Sequence, residues 1–127
     1  MTRHDGPISL GSFDFQFTCD AVKIYRKALG FPEGEDVPIT FATRALTEPA
    51  VLAELHLIFG SQVPIHIEQS FEVTETLKPG LAYKVILLLE DLRDSRMRLT
   101  GTFASPSNAV CVVMRGEFLL AQPAALK

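Results

Sequence analysis

The spacing of hydrophobic positions changes once along the chain. Before Gly60 most apolar residues recur at helical intervals, and from Val63 onward they alternate as strand residues do. The exception in the first half is Phe13-Asp14-Phe15-Gln16-Phe17, a strict alternation that puts three phenylalanines on one face of a short strand. Residues 1–11 ahead of it, broken by Gly6-Pro7, read as a loose arm. Thr18 or Asp20 can cap the helix that Ala21–Leu29 supplies, with Val22, Tyr25 and Leu29 on one face and Ala21, Ile24 and Ala28 beside them. Gly30 followed by Phe31-Pro32 stops it. Glu33 to Asp36 is an acidic loop, and Val37–Ala42 stays open between an extended piece and the lead into a helical turn. Thr47-Glu48-Pro49 then starts a second helix with a hydroxyl cap, an acid and an early proline. Val51, Leu52, Leu55, Ile58 and Phe59 make it the most apolar helix, so it is expected to be the buried one.

In the second half Ile65, Ile67, Phe71 and Val73 are expected on one strand face, opposite His66, Glu68, Ser70, Glu72 and Thr74. Lys78-Pro79-Gly80 is a turn into Leu81–Leu92, apolar on both faces and therefore predicted as a central strand covered on both sides. Arg93-Asp94 turns into Arg96–Ala104, where Met97, Leu99 and Phe103 oppose Arg96, Arg98, Thr100 and Thr102. Pro106-Ser107-Asn108 turns into a last strand, Val110–Leu120. The order is strand, helix, helix, then a four-strand antiparallel meander. The predicted class is α+β: a curved sheet of about five strands wrapped around a central apolar helix, in one domain spanning 1–127. An exposed sheet edge is expected, which pairing across a two-fold axis would remove.

Composition narrows the function classes. An apolar fraction of 47% and a charged fraction of 21% are those of a soluble globular domain. The net charge of −3 argues against nucleic-acid binding. Cys19 and Cys111 match neither a zinc site nor a redox pair and read as two small buried thiols in a reducing cytosol, without metal. Apolar runs such as Val85–Leu89 are too short to span a bilayer, and Met1–Leu10 has no signal-like core. A cytoplasmic protein is expected.

The element order is that of the hot-dog architecture, and four stretches go beyond pattern. They are Tyr25-Arg26-Lys27-Ala28-Leu29-Gly30, Pro38-Ile39-Thr40-Phe41-Ala42, Ile65 to Val73 with its His66-Ile67-Glu68-Gln69 opening, and Leu77-Lys78-Pro79-Gly80. In that order they resemble the MaoC-like hydratase/dehydratase family, and its N-terminal-type half in particular, over roughly Thr18–Leu120. The resemblance implies reversible hydration of a trans-2-enoyl thioester to a (3R)-hydroxyacyl thioester. It implies coenzyme A or an acyl carrier protein as the carrier and no separate cofactor. Such chemistry needs a group for the α-proton, a group for the β-hydroxyl, and donors for the thioester oxygen. Catalytic members place an Asp directly after the helix-closing Gly and a His about five residues on. Here Phe31 follows Gly30, and Glu33–Val37 has no His. In two-domain and heterodimeric members the half without this dyad lends walls for the acyl chain while its partner carries the chemistry.

Candidate site residues carry paired readings. His66 and Glu68, about 7 Å apart along one strand face at ~3.3 Å per residue, would serve as an acid/base pair; the alternative is a structural histidine and a solvent-facing or arginine-paired acid. Arg96 and Arg98 would meet coenzyme A phosphates or an acidic carrier protein, or else pair across strands with Glu72 or Glu117. Tyr25, Phe41, Leu55 and Phe59 would line an acyl tunnel or be plain core. His56 reads as a helix-flank residue and His4 as part of the arm.

Three functions follow. The first is the substrate-binding chain of a two-chain hydro-lyase, working as a homodimer or with a dyad-bearing hot-dog subunit. The second is a non-catalytic acyl-thioester binding module. The third is a thioesterase using a carboxylate-activated water at Glu68 or Glu54.

Overall fold

The computed structural model describes residues 7–32, 34, 36–47 and 49–121, with Thr47 described in its backbone only. The elements are β1 (Ile8–Gln16), α1 (Cys19–Ala28), a 3₁₀ helix (Ile39–Thr47), α2 (Pro49–Phe59), β2 (Val63–Val73), β3 (Ala82–Arg93), β4 (Arg96–Ala104) and β5 (Val110–Ala121). Thr47 and Glu48 as caps of α2, His4, Glu33 and Glu35 lie outside the described side chains.

Five antiparallel strands form one sheet in the order β1-β3-β4-β5-β2. Strand β2 therefore pairs with β5, not with β3. The expected four-strand meander is a three-strand one, β3-β4-β5, with β2 added at its far side. Lys78-Pro79-Gly80 consequently does not close a hairpin. It belongs to a crossing segment that is tied down along its length: Thr74 N–H donates to Cys111 O (2.8 Å), Val37 N–H to Leu77 O (2.9 Å), and Gly80 N–H to Phe17 O (2.8 Å). Tyr83 Oη also accepts the Lys78 N–H at 2.7 Å, and Leu77 is buried beneath.

The first strand starts at Ile8, inside the expected arm. A bulge makes this possible. The register with β3 shifts between Ser9 and Gly11, where Gly11 has φ +91° and donates its N–H to Ser9 Oγ. Ile8 ahead of the bulge and Leu10 within it thereby join Phe13 and Phe15 on the core side. Helix α1 has Thr18 as N-cap, its hydroxyl accepting from Ala21 N–H. It ends with Gly30 at φ +74°, Phe31 N–H donating to Arg26 O and Gly30 N–H to Lys27 O. These are the two bonds of a Schellman motif.

The helices lie on one face of the sheet, and the core fills the space between. Phe17 sits at its centre with its ring 5.7 Å from Phe41, 6.4 Å from Tyr83 and 6.3 Å from Phe103. Two burial expectations are corrected by this one-sided arrangement. In β3 the residues Tyr83, Val85, Leu87 and Leu89 are buried, while Ile86 on the other face is exposed. Helix α2 buries Val51 and half-buries Leu55, Ile58 and Phe59, but leaves Leu52 51% and Leu57 77% exposed. Its apolar circumference exceeds what one chain's sheet can cover.

Candidate functional site

The segment that follows α1 is held by α1 itself. Arg26 donates from Nε and Nη2 to Pro32 O (3.2 and 2.9 Å) and from Nη1 to Asp36 O (2.8 Å). A guanidinium fork suits two carbonyls well because its donors are fixed in one plane. Gly34 sits against this fork: a Cβ there would come within 2.7 Å of Arg26 Nη2 and push the guanidinium aside. The same guanidinium lies 5.7 Å from the centre of the Phe31 ring.

Phe31, which directly follows Gly30, is one member of an aromatic column. Its ring stacks with Tyr25 at 6.4 Å and 22°, and Tyr25 stacks with Phe41 at 4.3 Å and 20°. Tyr25 Oη and Thr40 Oγ1 are hydrogen-bonded at 2.6 Å. The first turn of the 3₁₀ helix thus delivers Thr40 and Phe41 onto the tyrosine from one side, and the loop delivers Phe31. Tyr25 and Phe41 are therefore brought together, and Phe31 joins them. Leu55 and Phe59 pack against the core from α2. Thr40 and the Arg26 staple were not singled out from sequence. The only signal for the latter was an arginine in the last turn of α1, ahead of a loop rich in carbonyls.

His66 and Glu68 are not brought together. The register of β2 with β5 shifts between them, Ile67 being the extra residue. His66 consequently pairs opposite Phe118 and Glu68 opposite Glu117, which are successive residues of a regular strand and point to opposite faces. The His66 ring stacks on Phe118 at 4.9 Å, and its Nε2 is bonded to the Glu68 carbonyl oxygen at 2.9 Å. Gly116 leaves room beneath, where Gln69 lies across the strand and donates to Arg115 O at 2.9 Å. The same bulge overturns the expected alternation: Ile65 and Ile67 are exposed and do not share a face with Phe71. Nothing in the alternation signalled it, because either phase puts apolar residues on a plausible face.

Arg96 and Arg98 take the cross-strand alternative. Both bind Glu117, Arg98 at 3.3 Å, and Arg98 also lies 3.8 Å from Glu90. Arg115 pairs with Glu72 at 3.4 Å. These ladders cover the outward face of the sheet, away from the helices. A cavity of about 320 Å³ opens instead beside the start of α1, lined by Cys19, Val22, Lys23, Gly34, Asp36, Lys78 and Pro79. No group of three His, Cys, Asp or Glu side chains suited to a metal occurs among the described residues. No helix among them is long and apolar enough to cross a membrane.

No protein-family model matches the chain, and no characterised protein matches it in sequence. Solved structures do match. The C-terminally truncated HadBC (3R)-hydroxyacyl-ACP dehydratase complex of Mycobacterium tuberculosis superposes with a TM-score of 0.76 at 9% identity, over 93% of this chain and 100% of that one. A thioesterase superfamily member from Thermus thermophilus gives 0.73 at 12% identity, over 99% and 90%. The R-hydratase PhaJ1 from Pseudomonas aeruginosa gives 0.59 at 14% identity, over 94% and 83%. The fold is the hot-dog fold. At these identities the likeness extends to architecture, and hot-dog chains with dehydratase, hydratase and thioesterase activities share it.

Proposed function

We propose that this chain is the substrate-binding member of a two-chain MaoC-like (3R)-hydroxyacyl thioester dehydratase or enoyl thioester hydratase, with coenzyme A or a carrier protein on the thioester. The observation that carries this reading is the aromatic column. Where such chemistry needs an acid, Phe31 stacks in line with Tyr25 and Phe41, and the neighbouring loop is fastened by Arg26. Flat aromatic faces with one hydroxyl pair, Tyr25–Thr40, form a wall for an acyl chain. They offer neither a carboxylate nor an imidazole to take a proton from carbon. The bulge that separates His66 from Glu68 favours this reading over one in which those two residues act as the acid/base pair. The acid and base would come from a dyad-bearing subunit, and this chain would hold and orient the acyl group.

The test is hydration of a trans-2-enoyl-CoA series by this chain alone, by a dyad-bearing hot-dog partner alone, and by the mixture. Expected is turnover by the mixture and none by this chain. Tyr25→Ala and Phe41→Ala in the mixture should change the preferred acyl length and raise KM more than they lower kcat. Robust turnover by this chain alone, or no gain on mixing, would sink the reading. Acyl-CoA hydrolysis by a carboxylate-activated water is less favoured, because Glu68 stands on the outward sheet face and Glu54 on the exposed side of α2.

A further inference from the structure

The cavity beside the start of α1 has no part in the aromatic wall. Its lining takes Cys19, Val22 and Lys23 from the helix, and Tyr25 comes two residues after Lys23, roughly half a turn around the axis. Three segments enclose it, and each is fastened to the next. Arg26 of α1 holds the loop at Pro32 O (2.9 Å) and Asp36 O (2.8 Å). The loop holds the crossing segment through Val37 N–H to Leu77 O at 2.9 Å. That segment is fixed to the sheet through Lys78 N–H to Tyr83 Oη at 2.7 Å. The cleft is therefore shaped before anything enters it.

Lys23 and Lys78 bring ammonium groups to this cleft from two separate elements, and Asp36 brings a carboxylate from a third. All three are exposed, and among the described residues none of their side chains forms an ion pair. Two cations against one anion leave the lining positive. The hollow on the outward sheet face differs in this respect. Its Arg98 is held by Glu117 and Glu90, and its Arg115 by Glu72. Arg96 and Arg98, expected at a phosphate, are both engaged there. At about 320 Å³ the cleft is near the lower end of ligand sites, a size for a phosphate with a short arm.

We propose that this cleft is a phosphate-binding site, in which Lys23 and Lys78 hold the phosphate of a small ester and Asp36 accepts from a hydroxyl or amide beside it. An ammonium is a compact charge with three donors on a flexible stem, so two of them can close on a tetrahedral anion from different sides. Without the anion the same two charges repel, which fits their lying open and unpaired. Two sources share this chemistry: a phosphopantetheine arm, whose phosphate is followed by a hydroxyl and an amide, and a free phosphorylated metabolite. Gly34 and Asp36 belong to the loop that begins at Phe31, so an occupant touches the segment that carries one end of the aromatic column. The site stands on the cleft and not on the proposed hydration, and its test contains no enoyl substrate, so either can fail alone.

Cys19 supplies the reporter. It lines the cleft and is exposed, against the burial expected of it, whereas Cys111 is buried. Alkylation of Cys19 by neutral iodoacetamide is followed by mass spectrometry with inorganic phosphate, glycerol 3-phosphate, phosphopantetheine or pantetheine present. The phosphate-bearing probes should protect Cys19 and pantetheine should not. Lys23→Gln with Lys78→Gln should abolish the protection, and Lys23→Arg with Lys78→Arg should keep it, which separates charge from folding. The same Gln pair should lower the ratio of iodoacetate to iodoacetamide rates about fivefold, the effect of one unit charge about 4 Å away in water. Equal protection by all three phosphate compounds supports the site with a free metabolite as its source; stronger protection by phosphopantetheine supports it with the carrier arm. Protection by pantetheine as strong as by phosphopantetheine, protection that survives the Gln pair, or none from any phosphate compound overturns the proposal.

Discussion

Tyr83 is buried while its hydroxyl accepts the Lys78 N–H. Burial, outweighing that hydrogen bond, pushes its pKa above the ordinary value of 10.0. Burial likewise raises the Cys111 thiol above 9.0, with Glu75 adding to it. Both groups keep their protons longer in the folded chain than in the unfolded one. Their contribution is complete below the unfolded values and is lost as pH rises through the folded ones. Urea unfolding followed from about pH 8 to 11 should show stability falling, and Tyr83→Phe should flatten the upper part of that fall. Equal slopes for variant and wild type would refute the assignment. At Gly116 a Cβ would stand 2.9 Å from Gln69 Oε1 and 3.2 Å from a Phe118 ring carbon. Gly116→Ala should therefore push the flexible Gln69 amide away from Arg115 O, at a cost of about 0.5–1.5 kcal/mol in chemical denaturation.

At the scale of elements, the β3–β4 hairpin closes through Asp94-Ser95, with φ +54° and +63°. Two positive φ values in a two-residue loop are those of a type I′ turn, which favours Asn-Gly. Asp94→Asn with Ser95→Gly should raise stability by about 0.5–1 kcal/mol, seen as a higher unfolding midpoint. Arg26→Met should leave the sheet intact while amide exchange at Asp36 and Val37 quickens, because the loop loses three donated bonds. Element types were readable because their signals are local: Thr18 caps α1, Gly30 ends it, and β4 alternates cleanly. Bulges were not readable. The ones at Leu10 and Ile67 are set by register against β3 and β5, strands distant in sequence. Strand order escaped for the same reason, since Lys78-Pro79-Gly80 has the composition of a hairpin turn and serves a crossing. Tyr25 and Phe41 could be named as candidates from one-dimensional pattern, whereas Thr40 and the Arg26 staple depend on where the 3₁₀ helix and loop fold back.

For the whole molecule, helix α2 separates what one chain can bury from what it leaves open. Val51→Ala should cost the isolated chain about 1.5–3 kcal/mol through lost burial and the cavity left behind. Leu57→Ala should stay within about 0.5 kcal/mol, as at an ordinary exposed site. Thermal melts over a range of protein concentrations measure both. A large effect at Leu57 that grows with concentration would mean that a second copy covers that side of α2. The sheet order has a consequence for how the chain comes to be folded. Strand β1 finds its partner only at residues 82–89, and β2 only at residues 112–121. On the ribosome both emerge before any strand they can join exists, the first carrying a row of phenylalanines. The local β3-β4-β5 unit is the natural nucleus, and the two outer strands close on it across long loops, which is slow. Newly made chain should therefore depend on chaperones until residue 121 is free, and truncation within β5 should yield aggregate rather than a partly folded domain.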